Sequence, residues 1–303
     1  MAEFTASDFA DLCSQAPVQE QIRTIEERRS AAIKRFWMVL LGGTAGAALL
    51  AWVAESSIGG TAGWILFVVL MIGVFILAWN PLNAAAEGIK HPTLHALAER
   101  GGLTYMPSGF DPPVLAEARK ALFGSWLSSS GFTDLVYGTD AEGKNFAFYE
   151  GTLSQGHGKH RTQVFSGQFY AFQRRRTQQG EVVAVPDRGL FNFFKPSGGF
   201  QRMRFESDPD FEKKFEVYST DPEAASLLFG SMTARRLLLD LRQSGKIFVY
   251  VGPTDVLVAV TGPNRFEPGS MFKSQGGEDR VRLMFNDVCT SLDILKRLKD
   301  VFA

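Results

Sequence analysis

The sequence predicts an α+β protein: a two-helix transmembrane hairpin followed by a cytoplasmic region of mostly antiparallel sheet with flanking helices. Three observations predict it. Two apolar runs lack any charge, a later block alternates aromatic and β-branched segments with turns, and helical periodicities lie beside those strands instead of alternating with them.

The apolar runs are residues 36–54 and 62–79, separated only by Glu55-Ser56-Ser57-Ile58-Gly59-Gly60-Thr61. At about 1.5 Å per residue each gives a helix of roughly 27 to 29 Å, matching a hydrocarbon core about 30 Å thick. The second run is the stronger, with Ile65, Leu66, Phe67, Val68, Val69, Leu70, Ile72, Val74, Phe75, Ile76 and Leu77. Trp37, Trp52, Trp64 and Trp79 fall near the four helix ends, where amphipathic rings favour the headgroup zone. A cleaved signal peptide fits poorly, because Trp52 would occupy the −3 site of a cut after Ala54. Arg23, Arg28, Arg29, Lys34 and Arg35 precede the first span, Lys90 follows the second, and the loop between has no basic residue. The expectation is a hairpin with both termini cytoplasmic.

Small residues recur at a spacing of four along the first span: Gly42, Gly46 and Leu50 on one line, Gly43, Ala47 and Ala51 on the next. Such a face lets backbones approach closely in lipid, either between two copies of the chain or against the second span. Ahead of it, residues 17–35 read as a helix running into the first span. Val18, Ile22, Ile25, Ala32 and Phe36 repeat for about two heptads, fewer than hold a coiled coil together, so packing on the segment after the second span is expected.

Of 303 residues, Lys plus Arg and Asp plus Glu number 32 each. That balance argues against nucleic-acid binding driven by an overall field. Cys13 and Cys289 have no metal-like or redox spacing and read as reduced bystanders.

After the hairpin, residues 81–90 read as a short helix, and Pro92 opens another that ends at Gly101-Gly102. A further helix is expected over 112–128, with Val114, Leu115, Ala118, Leu122 and Trp126 on one side. Strands follow at 132–138, 146–153, 162–174 and 182–194. A second block begins near Gln201, with strand residues Met203, Phe205, Phe215 and Val217. Thr220 or Asp221 caps a helix from Pro222 that Gly245 terminates, presenting Leu227, Leu228, Met232, Leu237, Leu238 and Leu241. A hairpin at 246–251 and 256–261 and a helix over 277–302 complete the chain. The expected domains are a juxtamembrane helix (1–35), the hairpin (36–80), a helical connector (81–130) and an α+β region (131–303), either continuous or split at 200/201.

The stretch Asp208-Pro209-Asp210-Phe211-Glu212-Lys213-Lys214-Phe215-Glu216-Val217-Tyr218-Ser219-Thr220-Asp221-Pro222-Glu223-Ala224-Ala225 resembles the signature of a bacterial membrane protein family, domain of unknown function 3137. Val164-Phe165-Ser166-Gly167-Gln168-Phe169 and Arg265-Phe266-Glu267-Pro268 resemble its two lesser landmarks. The resemblance implies an inner-membrane anchor with a cytoplasmic α+β region, and no activity.

Read physically, Phe211, Phe215 and Val217 face a core while Asp208 and Asp210 supply acceptors to a short helical turn. The alternative is a carboxylate cluster, Asp208, Asp210 and Glu212, for a divalent cation or acid–base work. His91 and His95 are spaced to share a helical face, but Pro92 biases His91 out of the helix. His157 and His160 fall in the cationic turn Gly156-His157-Gly158-Lys159-His160-Arg161, a solvated loop or a metal or proton-transfer site. Arg174-Arg175-Arg176, joined by Lys159 and Arg161 on an adjacent hairpin, forms a basic patch. It suits anionic lipid or a partner surface, or a solvated edge that discourages aggregation.

No phosphate-binding loop, nucleophile elbow, zincin motif or dinucleotide fingerprint occurs. Neither span carries an ionisable residue, which weighs against a conduction pathway through the hairpin alone. The leading expectation is a noncatalytic, cofactor-free interaction module at the inner membrane, with the bilayer and a protein as partners and homo-oligomerisation through the glycine face as an option. The alternatives are a metal-assisted enzyme using His157, His160 and the 208–212 carboxylates, and an accessory subunit of a transporter or envelope complex.

Overall fold

The computed structural model describes residues 6–14, 16–58, 61–124, 127–156, 158–187, 196 and 198–303. They form two compact units. One runs through Leu97 and includes Phe266–Asn286; the other comprises Ala98–Arg265 and Asp287–Ala303.

The first unit is built on α1 (Ala6–Ser14), α2 (Ala16–Ile58) and α3 (Ala62–Arg100). Both α2 and α3 are long and apolar enough to cross a membrane. The segment 17–35 and the apolar run 36–54 lie in one helix, α2. The break foreseen between 90 and 92 is absent, because Pro81 and Pro92 both lie inside α3. An interior proline costs about 3 kcal/mol. Against that, Leu82, Ile89, Leu94 and Leu97 are each buried on one continuous face, at about 1.5 to 3 kcal/mol apiece. The packed face outweighs the lost hydrogen bonds.

The segment 266–276 is organised by Arg280, whose guanidinium is wholly buried in this unit and donates to the carbonyls of Pro268 (2.7 Å), Ser270 (3.2 Å) and Lys273 (2.7 Å). Arg29 donates to the Met271 carbonyl, and the Phe272 ring stands edge-on to Phe36 with centroids 5.3 Å apart. Arg28 reaches the Gly88 carbonyl on α3, so the α2 extension packs on the segment after the second span. At Gly277 a Cβ would lie 2.3 Å from the Ile22 carbonyl oxygen, so only glycine allows that approach.

Among the described residues the second unit is built on a nine-stranded antiparallel sheet. Its strands are β1 (Thr104–Met106), β2 (Leu127–Thr139), β3 (Asn145–Gln155), β4 (Thr162–Gln173), β5 (Val182–Pro186), β6 (Gln201–Met203), β7 (Phe215–Ser219), β8 (Ile247–Val251) and β9 (Asp255–Thr261). Their order is β1-β2-β3-β4-β9-β8-β5-β7-β6. Strands from 131–200 and from 201–303 therefore interleave in one sheet, and the split at 200/201 does not occur. The expected strand over 182–194 ends at Pro186 in β5, and its part from 188 onward lies outside the described residues.

Helices α4 (Leu115–Phe123), α5 (Pro209–Glu212), α6 (Pro222–Phe229), α7 (Met232–Leu241) and α8 (Gly277–Phe302) accompany the sheet. The helix expected over 112–128 is shorter, since Pro112-Pro113 and Gly124 bound it and β2 already begins at Leu127; Trp126 lies outside the described residues. The single helix expected after Pro222 is two, because Ser231 adopts an extended backbone between them. Leu227, expected on the buried face, is 84% exposed, while Phe229, Leu237 and Leu238 turn inward. From Asp287 onward, α8 covers one sheet face, with Lys299 over the Phe146 ring and Leu295 and Leu298 fully buried.

Candidate functional site

Antiparallel register places directly opposed residues on the same face, so strand alternation dictates what the sheet face opposite Phe146 and Tyr170 presents. One row across it is aromatic: Tyr149 opposes Phe169, their rings stacked 5.0 Å apart, and Phe169 opposes Ala259. The next row is Tyr137, Ala147, Ala171 and Leu257. The third is polar: Thr139 opposes Asn145, whose backbone N–H donates to the Gln173 side chain (3.0 Å), and Gln173 opposes Asp255. Two adjacent alanines thus leave a depression between an aromatic row and a polar row.

Met106, the last residue of β1, and Phe110, Asp111, Pro113 and Val114 from the segment joining β1 to α4 wall that depression. The result is a pocket of about 610 Å³. Its apolar interior includes Leu135, Ala147 and Ala171, and its rim carries Asp111, Asn145, Gln173 and Asp255. Three contacts hold the wall. The Tyr149 hydroxyl donates to the Pro113 carbonyl (3.0 Å), the Phe110 ring stands edge-on to Tyr149 at 5.9 Å, and α4 seats Leu115, Ala118 and Leu122 in the core. Burial first, then the Asp111 and Glu117 carboxylates, push the Tyr149 phenol well above its ordinary range, so it stays a neutral donor.

The wall is strained where it meets the helix. Val114 precedes α4 at φ 62°, a left-handed conformation that a β-branched side chain rarely adopts. Asp134 shares the anomaly at φ 59°, inside the β2 bulge between Thr133 and Val136; its carboxylate accepts from the Tyr105 hydroxyl (2.7 Å) and its N–H donates to Pro107 O (3.0 Å). Such outliers persist where surrounding structure over-determines them, here at both ends of the pocket wall.

The residues singled out in the sequence lie elsewhere. Asp208 caps α5, accepting from the Phe211 N–H (3.2 Å), and pairs with the buried Arg235 (3.3 Å). Glu212 accepts from the Phe205 N–H, and Asp210 is exposed. The first and third carboxylates are thus engaged in closing a turn, and among the described residues no group of three His, Cys, Asp or Glu side chains is placed to hold a metal ion. His160 sits exposed in a short 3-10 turn; His157 lies outside the described residues. His91 and His95 both lie on α3, contrary to the expected displacement of His91 by Pro92.

The basic patch does not assemble. Lys159 and Arg161 precede β4 and Arg174 follows it, so a strand of 12 residues, about 3.3 Å each, separates them. Arg174 donates to the Gly252 carbonyl (3.4 Å), with burial lowering its pKa, and Arg175 pairs with Glu142 (3.1 Å). Of the glycine face, Gly43 packs against Val74, Ala47 is buried, and Gly42 and Gly46 have open space where a Cβ would project.

Sequence reasoning missed the alanine floor, although a signal exists. Asn145-Phe146-Ala147-Phe148-Tyr149 and Phe169-Tyr170-Ala171-Phe172-Gln173 are near mirror images, the order antiparallel partners need to set alanine against alanine.

Residues 163–300 match the family described as Protein of unknown function (DUF3137). The DUF3137 match takes in Ala171, Gln173 and Asp255 of the pocket, while Met106, Asp111 and Ala147 precede it. Comparison with curated proteins finds no match. Among solved structures, the chain is similar to the crystal structure of the mycobacterial trehalose monomycolate transport factor A, TtfA, at 12% identity and a TM-score of 0.36, covering 69% of this chain and 96% of that one.

Proposed function

We propose that this protein is a membrane-tethered, noncatalytic binding module whose sheet unit receives an apolar group of its partner in the pocket over Ala147 and Ala171. The observation that carries the reading is the pocket itself. It is concave, mostly apolar, within the size range of ligand sites, and edged by a few polar groups that can fix orientation. Among the described residues its lining has no His, Cys, Ser, Thr or Lys, and its two carboxylates, Asp111 and Asp255, stand at the rim of an otherwise apolar cavity, which supports a binding role.

The tether is the pair of apolar helices, crossing a bacterial inner membrane as a hairpin with both termini cytoplasmic. Leu41, Trp52, Ile65, Val69 and Leu77 are all more than half exposed on these helices, which supports solvation by lipid. The basic residues flanking the hairpin support the orientation.

The test is methyl NMR on the full chain in lipid nanodiscs, with labelled alanine and methionine. Titration with cyclohexylmethanol, a neutral apolar fragment, moves the Ala147, Ala171 and Met106 methyl signals together. A set of neutral apolar fragments that leaves all three unmoved overturns the reading.

A further inference from the structure

The pocket's rim is asymmetric in charge. Asp111 and Asp255 stand on it, from the wall segment and from the start of β9, together with Asn145 and Gln173; among the described residues no Lys, Arg or His lines the cavity. Asp255 is set by local geometry, its carboxylate accepting from the Thr254 hydroxyl (2.5 Å), while its backbone carbonyl accepts from the Gly252 N–H (2.8 Å). Arg174 donates to the Gly252 carbonyl (3.4 Å), Arg119 to the Leu127 carbonyl (2.8 Å), and Arg175 pairs with Glu142 (3.1 Å).

The carboxylates also act on the neighbouring tyrosines. After burial, the carboxylates of Asp111 and Glu117 raise Tyr149; after burial and the Glu181 hydrogen bond and charge, Glu117 and Asp255 raise Tyr250. At about 30 Å³ per water, a cavity of about 610 Å³ exceeds what one small side chain fills. A ligand therefore has room for an apolar body over Ala147 and Ala171 and a head at the rim. An anionic head there meets two carboxylates; a cationic one meets two partners and two amide acceptors.

We infer that the pocket takes a ligand with an apolar body and a cationic, hydrogen-bond-donating end, the body over the alanine floor and the charge between Asp111 and Asp255. This rests on the pocket reading above and adds the ligand's charge. The same chemistry occurs in a free amine and in a peptide that carries an apolar side chain beside a Lys or Arg.

The test titrates full chain in nanodiscs with three probes of one apolar body, cyclohexylmethylamine, cyclohexylmethanol and cyclohexanecarboxylate, following the Ala147 and Ala171 methyl signals. The amine binds at least about tenfold more tightly than the alcohol, and the carboxylate most weakly. Asp111→Asn with Asp255→Asn erases the amine's advantage and leaves the alcohol unchanged. Ala171→Phe, or Ala147→Leu should the first variant melt early, abolishes binding of all three. A carboxylate that binds as well as the amine, or an advantage that survives the double substitution, overturns the inference while leaving the pocket reading intact. Silence from all three probes overturns both. The source is distinguished by acetyl-Phe-Lys-amide: binding tighter than cyclohexylmethylamine supports a peptide, and weaker binding supports a free amine.

Discussion

The Lys90 ammonium lies 2.8 Å from the Glu267 carboxylate, joining the end of the helical hairpin to a segment 177 residues later in the chain. The Lys90 side chain is 9% exposed and that of Glu267 42%. This gives physical content to the Arg265-Phe266-Glu267-Pro268 landmark. Phe266 is wholly buried, the Pro268 carbonyl takes a hydrogen bond from Arg280, and Glu267 neutralises a lysine that the helix has drawn from water.

Removing the acid leaves a mostly buried ammonium without that partner. Glu267→Ala should lower stability by about 1 to 3 kcal/mol, at the lower end of buried pairs because the carboxylate is partly solvated. Lys90→Met combined with Glu267→Ala should recover part of the loss. Thermal unfolding in detergent measures both, and a double variant less stable than Glu267→Ala would contradict the account.

How much of this was legible follows from the range of each cause. The two long apolar helices, the strands β2, β3 and β4, the closing helix and a cap at Asp221 are set by local pattern, and they appear where periodicity and turn residues place them. The continuous α3 was not legible, because Pro81 and Pro92 act locally while the buried face that overrides them is tertiary. The basic patch failed for the opposite reason: adjacency in sequence between a turn and a strand end says nothing about the length of β4 that separates them. The pocket required register, which aligns Ala147 with Ala171 only once β3 and β4 are paired.

Val114 permits a comparison that isolates backbone strain. Val114→Gly and Val114→Ala both remove the side chain from the pocket wall, but only glycine adopts φ 62° freely. The glycine variant should be more stable than the alanine variant by about 1 kcal/mol, the reverse of the usual order. Equal melting temperatures would show that the left-handed conformation carries no cost.

Two aspartates in the sheet unit impose opposite acid responses. Burial raises Asp287 to about 6, opposed by the Arg265 charge. Its ordinary value is about 3.9, so stability present below that pH is lost as pH rises through about 6. Asp140 is raised by burial but, more strongly in sum, lowered to about 2 by the Lys299 hydrogen bond, the Lys144 and Glu142 N–H groups and the Lys299 charge. Its contribution is present above about 3.9 and is lost as pH falls toward about 2. Stability should therefore rise from pH 7 to about 4 and fall below it. Asp287→Asn should flatten the upper limb and Asp140→Asn the lower, read from melting temperature against pH.

The glycine face of the first span separates two roles that sequence leaves joined. A Cβ at Gly43 would lie 2.6 Å from Val74 Cγ1, closer than real Cβ atoms approach, whereas Gly42 and Gly46 have nothing within 4 Å. Gly43→Leu should therefore force α2 and α3 apart and lower the melting temperature of the detergent-solubilised chain by several degrees. Gly46→Leu should leave intramolecular packing unchanged, because its side chain projects into open space. Their oligomeric states then discriminate the alternatives. Should Gly46→Leu convert a larger species to monomer in native mass measurement, the open line joins copies of the chain; should its mass match the parent's, the close helix approach is confined to Gly43 and Ala47 within one hairpin.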